Sequence, residues 1–168
     1  MGSMVSRWWW GGDPDEKNKI SGMTLRDIYN VQSSWKPVYT NPSGNGFLIF
    51  SRLFDEEPET KLFFKDIAHA TEEEMAVSVV FKAHLINLMA SLNIAIQNLR
   101  DPEVVIAGMH KLGNSHRKLH VERRHFWVLK QVLVIILRND LKLSDDVVES
   151  WGRFVDFIYA HLLPKLHQ

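Results

Sequence analysis

Eight histidines in 168 residues is a generous supply of a side chain whose tasks are metal ligation, proton transfer and surface filling. Two of them sit among apolar neighbours. His84 falls in a helical stripe that reads Val80, His84, Leu88, Leu92, Ala95 and Leu99, a spacing that places it on a buried face. His116 is flanked by Leu112 and Leu119 and follows Gly113, which is expected to break the preceding helix. Singly, each histidine is also explained as a core residue bonded to a backbone carbonyl. Together, in a chain with Phe63 and Phe64 ahead of the first, they point to one metal held between two helices in an apolar pocket, a setting that suits haem iron.

Composition narrows the alternatives. The 20 basic and 20 acidic residues cancel, so no global positive field gathers nucleic acid or anionic lipid. The absence of cysteine removes disulfides, thiolate nucleophiles, Cys-ligated zinc and iron–sulfur clusters, and makes a reducing, intracellular setting the expectation. With 45% apolar residues the chain has material for one core. The longest apolar run, Val132 to Leu137 with its flanks, falls short of the roughly 18–20 residues that cross a bilayer, so no membrane span is expected.

The elements that must position the two histidines are helical. Thr24 and Asp27 resemble a capping box ahead of Leu25, Ile28, Val31, Trp35 and Val38, and this helix stops near Asn41, Pro42 and Gly44. A second helix carries Phe47, Ile49, Phe50, Leu53 and Phe54, and Pro58 opens a short third one. Thr71 with Glu72 to Glu74 starts a long helix that bears His84; Asp101 and Pro102 start the next, with Val105, Met109 and Leu112. Two long helices, about 122–138 and 145–161, the latter capped by Ser144, close the chain. No strand signal recurs, so the fold class is all-α with about seven or eight helices. Residues 1–22, with Trp8, Trp9 and Trp10 in a row, lack a period and read as a flexible tail; residues 23–168 form the folded domain.

From about Thr24 to His161 the chain resembles a globin. Trp35 stands at the tryptophan of the first helix, and Phe50-Ser51-Arg52-Leu53-Phe54 followed by Pro58 and Phe64 looks like the second and third globin helices. His84 matches the distal position, and Leu112-Gly113-Asn114-Ser115-His116-Arg117 with Val121 matches the proximal segment, in a pattern similar to neuroglobin and globin X. The resemblance implies a three-over-three helical sandwich that holds haem b, iron protoporphyrin IX. His116 is then the proximal ligand; His84 either donates a hydrogen bond to bound oxygen or coordinates iron itself. Phe64, Phe50, Leu88, Leu112, Val121 and Phe126 are the further haem contacts it implies. His120 competes with His116 for the proximal role, and the four-residue spacing of the pair could instead hold zinc, although no third ligand is placed. His69, His110, His125, His161 and His167 are assigned to solvent or helix ends. Arg117, Lys118, Arg123 and Arg124 form a basic patch expected at the haem edge, pairing propionates, lying in solvent or docking an acidic redox partner.

Met1-Gly2-Ser3-Met4-Val5-Ser6 fits N-myristoylation at Gly2 and equally a vector remnant ahead of Met4. An acyl chain and three indoles would together tether the protein to a membrane face; without the acyl chain, the indoles must find an interface, a partner or the domain's own surface. The functional expectation is a cytoplasmic haem globin that binds O2, CO and NO, with bis-histidyl iron and a redox, sensing or storage role. The alternative is a haem enzyme turning over nitric oxide, nitrite or peroxide.

Overall fold

A computed structural model describes residues 8–167; Gly2 lies outside the described residues. The domain is built from α1 (Leu25–Val38), α2 (Pro42–Glu56), a 3-10 helix (Pro58–Phe63), α3 (Glu72–Val77), α4 (Val79–Gln97), α5 (Pro102–Arg117), α6 (Arg123–Ile135) and α7 (Asp145–Leu162), which runs into a final 3-10 turn (Leu163–Leu166). Among the described residues there is no strand. The capping signals locate the helix starts. Thr24 accepts the Asp27 N–H at 3.1 Å while Asp27 accepts the Thr24 N–H at 2.9 Å, and Thr71 and Glu74 form the same reciprocal box ahead of α3. Asp101 stands at the N-cap position of α5 without a side-chain capping bond, and Pro42 and Pro58 open their helices.

Packing between elements gives the layers. α1 lies on α7, α2 on α4, and α5 on α7, whereas α1 and α5 flank α4, and α2 and α7 flank α6. One layer is therefore α1, α4 and α5, the other α2, α6 and α7: three helices over three. Trp35 of α1 is buried, donates its indole N–H to Asn93 Oδ1 of α4 at 3.0 Å, and meets Trp151 of α7 at 6.0 Å. A single tryptophan thus fastens its helix to both layers.

Three expectations change. The helix expected from Thr71 through His84 is two helices, because Ser78 adopts an extended conformation and caps α4 by accepting the Phe81 N–H. α4 is 19 residues long and apolar enough, by length and composition, to cross a membrane, contrary to the reading of apolar runs. Here it lies between α2, α1 and α5, with Phe81, Leu85, Met89 and Ile96 in the core. The tryptophan row is also not a wholly irregular segment. Trp8 to Trp10 make a helical turn, and Trp10 packs edge-on to Tyr29 of α1 at 5.4 Å beneath the Arg26 guanidinium at 5.7 Å. Of the three destinations open to the indoles, Trp10 takes the domain's own surface, whereas Trp8 stays 85% exposed.

The α1–α7 contact is fixed by a buried carboxylate. Asp27 accepts hydrogen bonds from Arg153 Nε and Nη2, at 3.0 and 2.8 Å, and from the Ser150 hydroxyl at 2.9 Å. Burial alone would raise the Asp27 pKa, but the Arg153 bonds and those from Thr24 and Ser150 outweigh it and hold the carboxyl below the usual range. A carboxylate with a depressed folded pKa stabilises the fold above the unfolded aspartate value of about 3.9, and that contribution is lost as pH falls through the folded value. Asp27→Ala should therefore cost about 2 kcal/mol in urea unfolding at pH 7. Because the lost term is ionic, the gap between variant and parent should narrow as the pH is taken below about 4; a gap independent of pH would show that the carboxylate's charge is not what matters.

Candidate haem site

Gly113 does not end its helix. α5 continues to Arg117, so His116 stands in the last helical turn rather than beyond a break. The glycine is there for proximity: a Cβ built on it would lie 2.5 Å from the Leu162 carbonyl oxygen and 2.7 Å from Lys165 Cβ, closer than atoms can pack. With the helix intact, His116 Nδ1 lies 2.9 Å from the Leu112 carbonyl oxygen one turn earlier. A carbonyl can only accept, so Nδ1 carries the proton and Nε2 keeps the free lone pair, the state in which imidazole ligates a metal. The Phe126 ring stands edge-on to His116 at 5.4 Å. His120 is exposed, past the helix end, with φ of 57°. The helical spacing that a His116/His120 zinc site needs is therefore lost.

His84 faces the same space from α4. It is half-buried and enclosed by aromatic edges, with Phe64 at 4.8 Å and Phe50 at 5.3 Å. Burial lowers its pKa, and the nearby His116 charge lowers it further, so neutral imidazole is favoured. Both histidines line one cavity of about 410 Å³, whose wall is largely phenylalanine, leucine, isoleucine and valine. Phe50, Phe64, Val121 and Phe126 line it as well.

Comparison with known proteins agrees with this arrangement. The globin family model matches residues 48–162. The chain is a globin. It is 26% identical to cytoglobin-1 of Danio rerio over 82% of each chain, and 27% identical to cytoglobin-2 of Oryzias latipes over 88% of this chain and 85% of that one. Among solved structures, a hexa-coordinate hemoglobin of Drosophila melanogaster superposes with a TM-score of 0.78 at 21% identity, covering 83% of this chain and 93% of its own. A hexacoordinated haem protein of an anhydrobiotic tardigrade gives 0.81 at 16% identity, over 90% and 100%. These likenesses show the fold; family membership makes the chain a haem protein whose iron takes diatomic gases such as O2.

The pocket of this globin fits that group on its own evidence: a proton-fixed imidazole, a second imidazole across an apolar space, and aromatic walls. Its lining differs from expectation in four respects. Leu88 and Leu112 do not reach the larger cavity; they line a separate inner one of about 60 Å³, which shares Phe126 and Leu129 with it. Both leucines lie on the expected helices, α4 and α5, but their positions around the helix turn them toward α7. Val80 is wall rather than core and 60% exposed, because α4 is apolar on two faces and only the Phe81 face enters the core. His125, assigned to solvent or a helix end, stands in the first turn of α6 but is buried and lines the pocket. Its Nδ1 accepts the Glu122 N–H at 3.0 Å, leaving Nε2 to donate to Glu59 at 3.1 Å, so neither nitrogen is free for iron. Only the tertiary contact with Glu59, 66 residues away, reveals that role.

The expected basic patch is the fourth difference. None of Arg117, Lys118, Arg123 and Arg124 lines the cavity; the cation there is Lys65, which sequence reading missed. Arg124 is bonded to Glu57, Glu59 and Glu122 instead. The Arg124, Glu59 and His125 contacts clasp the 3-10 helix onto α6. Because α5 reaches His116 only by crossing α7 at Gly113, Gly113→Ala should force the helices apart. We expect it to cost about 1–3 kcal/mol in unfolding and to accelerate haem transfer to an apo-acceptor protein. A variant that loses stability but keeps parental haem retention would separate the crossing from the placement of His116.

Proposed function

We propose that this globin holds haem b without a covalent link, with His116 as the proximal ligand and His84 as the distal ligand when no gas is bound. The observation that carries this is the pair of histidines lining one apolar cavity, one with its tautomer fixed by Leu112 and the other favoured in its neutral form. Haem attached through thioethers would need cysteine, and there is none. When bound, the group supplies an iron centre for O2, CO and NO. The chain supplies the rest. The Leu112 carbonyl orients the His116 ring and raises its basicity as a ligand. Phe50 and Phe64 hold the His84 ring from two sides and exclude water from its face. Lys65 at the pocket lining is the cation placed to neutralise propionate charge.

The hexacoordinate state named for the Drosophila and tardigrade neighbours supports the assignment of His84. A distal imidazole that must leave before a gas enters suits redox, sensing or storage duty better than bulk transport, since it taxes ligand binding by the fraction of time the site is closed.

Absorption spectra of the ferric and ferrous protein test the reading directly. The parent should be six-coordinate and low-spin in both states. His84→Leu should give a five-coordinate ferrous spectrum and faster CO binding on mixing, whereas His116→Ala should lose most of its haem, with free imidazole restoring it. A five-coordinate ferrous parent would overturn the role of His84, and full haem retention by His116→Ala without imidazole would overturn that of His116.

A further inference from the structure

Outside the haem cavity, a second pair of imidazoles meets between α5 and α7. His110 lies in the middle of α5 and His161 in the last turn of α7; the ring centroids are 5.9 Å apart at an interplanar angle of 54°. Both rings are half-buried; His161 stands at a helix end as expected, whereas His110 is neither in solvent nor at a helix end. Among the described residues neither ring has a hydrogen-bonding partner in the protein; their nearest shared chemistry is each other and the edge of Phe157, 5.4 Å from His161. Two imidazole rings from different helices have been brought within 5.9 Å of each other, centroid to centroid.

The centroid separation is compatible with a chelate. A first-row divalent ion bound to imidazole at about 2.0–2.1 Å lies about 3.2 Å from the ring centroid, so two rings at a tetrahedral angle on one ion are about 5.3 Å apart. The observed 5.9 Å is within a small side-chain rotation of that value. The helices that carry the pair approach closely there: Gly113, three residues past His110, leaves no room for a Cβ against the carbonyl of Leu162, one residue past His161. Burial and the neighbouring His110 both depress the His161 pKa, which keeps that ring neutral and its lone pair available near pH 7. No group of three or more His, Asp or Glu side chains gathers among the described residues, so the remaining positions on an ion would be filled by water. Two imidazoles with open water positions describe an exchangeable site, selective for the borderline ions that prefer nitrogen, Zn2+ and Cu2+, over Mg2+ and Ca2+.

We propose that His110 and His161 form a surface binding site for one divalent transition ion, Zn2+ or Cu2+, bridging α5 and α7. The site is separate from the haem pocket and does not depend on the role of His84. It is attached to the helix that carries His116, so an ion bound there would also brace the proximal helix against α7.

The test uses the haem-loaded protein, in which the pocket histidines are occupied. Titration with ZnCl2 in a calorimeter should show one saturable equivalent, with MgCl2 giving none. His110→Gln and His161→Gln should each weaken Zn2+ binding at least tenfold, with Soret spectra and melting temperatures near the parent's, while His69→Gln and His167→Gln should leave it unchanged. Electron paramagnetic resonance of the parent with one equivalent of Cu2+ should show coupling to two imidazole nitrogens, a readout that needs no variant to fold. Parental Zn2+ affinity in the His110→Gln/His161→Gln double variant, or a Cu2+ spectrum without two-nitrogen coupling, would overturn the proposal.

Discussion

Between Gly113 and the Leu162 carbonyl there is no room for a methyl group, and the placement of the haem site follows from that crossing. Because the residue is glycine, α5 can lie against α7 and still continue as a helix through Arg117. Because the helix continues, the Leu112 carbonyl stays within 2.9 Å of His116 Nδ1, and the imidazole is fixed both in position and in protonation. A helix interior normally disfavours glycine by about 1 kcal/mol relative to alanine. Here the close approach of two helices offsets that cost and converts a weak helical position into the support of the His116 imidazole in the cavity wall.

The opposite wall depends on a helix with two apolar faces. α4 buries Phe81, Leu85, Met89 and Ile96 in the core and turns Val80 and His84 to the cavity. In an ordinary surface helix the second face would be polar. Its apolar character makes sense only if a ligand covers it, which is why the cavity carries a hydrophobic wall and partly exposed valine. Ser78 contributes by ending α3 and starting α4 afresh, so that the direction of α4 is set by its own cap rather than by the preceding turn.

Electrostatic contacts act at the margins of this framework. Asp27, Arg153 and Ser150 pin α1 to α7 at one end. Arg124, Glu59 and His125 clasp the 3-10 helix to α6 at the pocket's edge. Both clusters tie together segments distant in sequence, and both use a carboxylate that accepts from two or more donors; at the buried Asp27 those bonds compensate the desolvation of its charge.

The helical class, the capping box at Thr24, the helix start at Thr71, the buried Trp35, and the sharing of one apolar pocket by His84 and His116 were all legible in the residue order, because caps and helical periodicity are local properties written within four residues. So was the grouping of Phe50, Phe64, Val121 and Phe126 with those histidines, since the globin spacing carries it. What stayed hidden depended on neighbours far along the chain. Gly113 reads as a helix breaker until Leu162 is seen beside it, and His125 reads as a residue of solvent or a helix end until its bond to Glu59 shows it buried at the pocket. Leu88 and Leu112 look like pocket leucines until the rotation of their helices turns them to the inner cavity, and Lys65 rather than the Arg-rich segment faces the pocket. Propensity and periodicity set which elements form and which face is apolar; the angle at which two helices cross, and therefore which side chains share a space, is set by close packing between residues that the sequence separates by tens of positions.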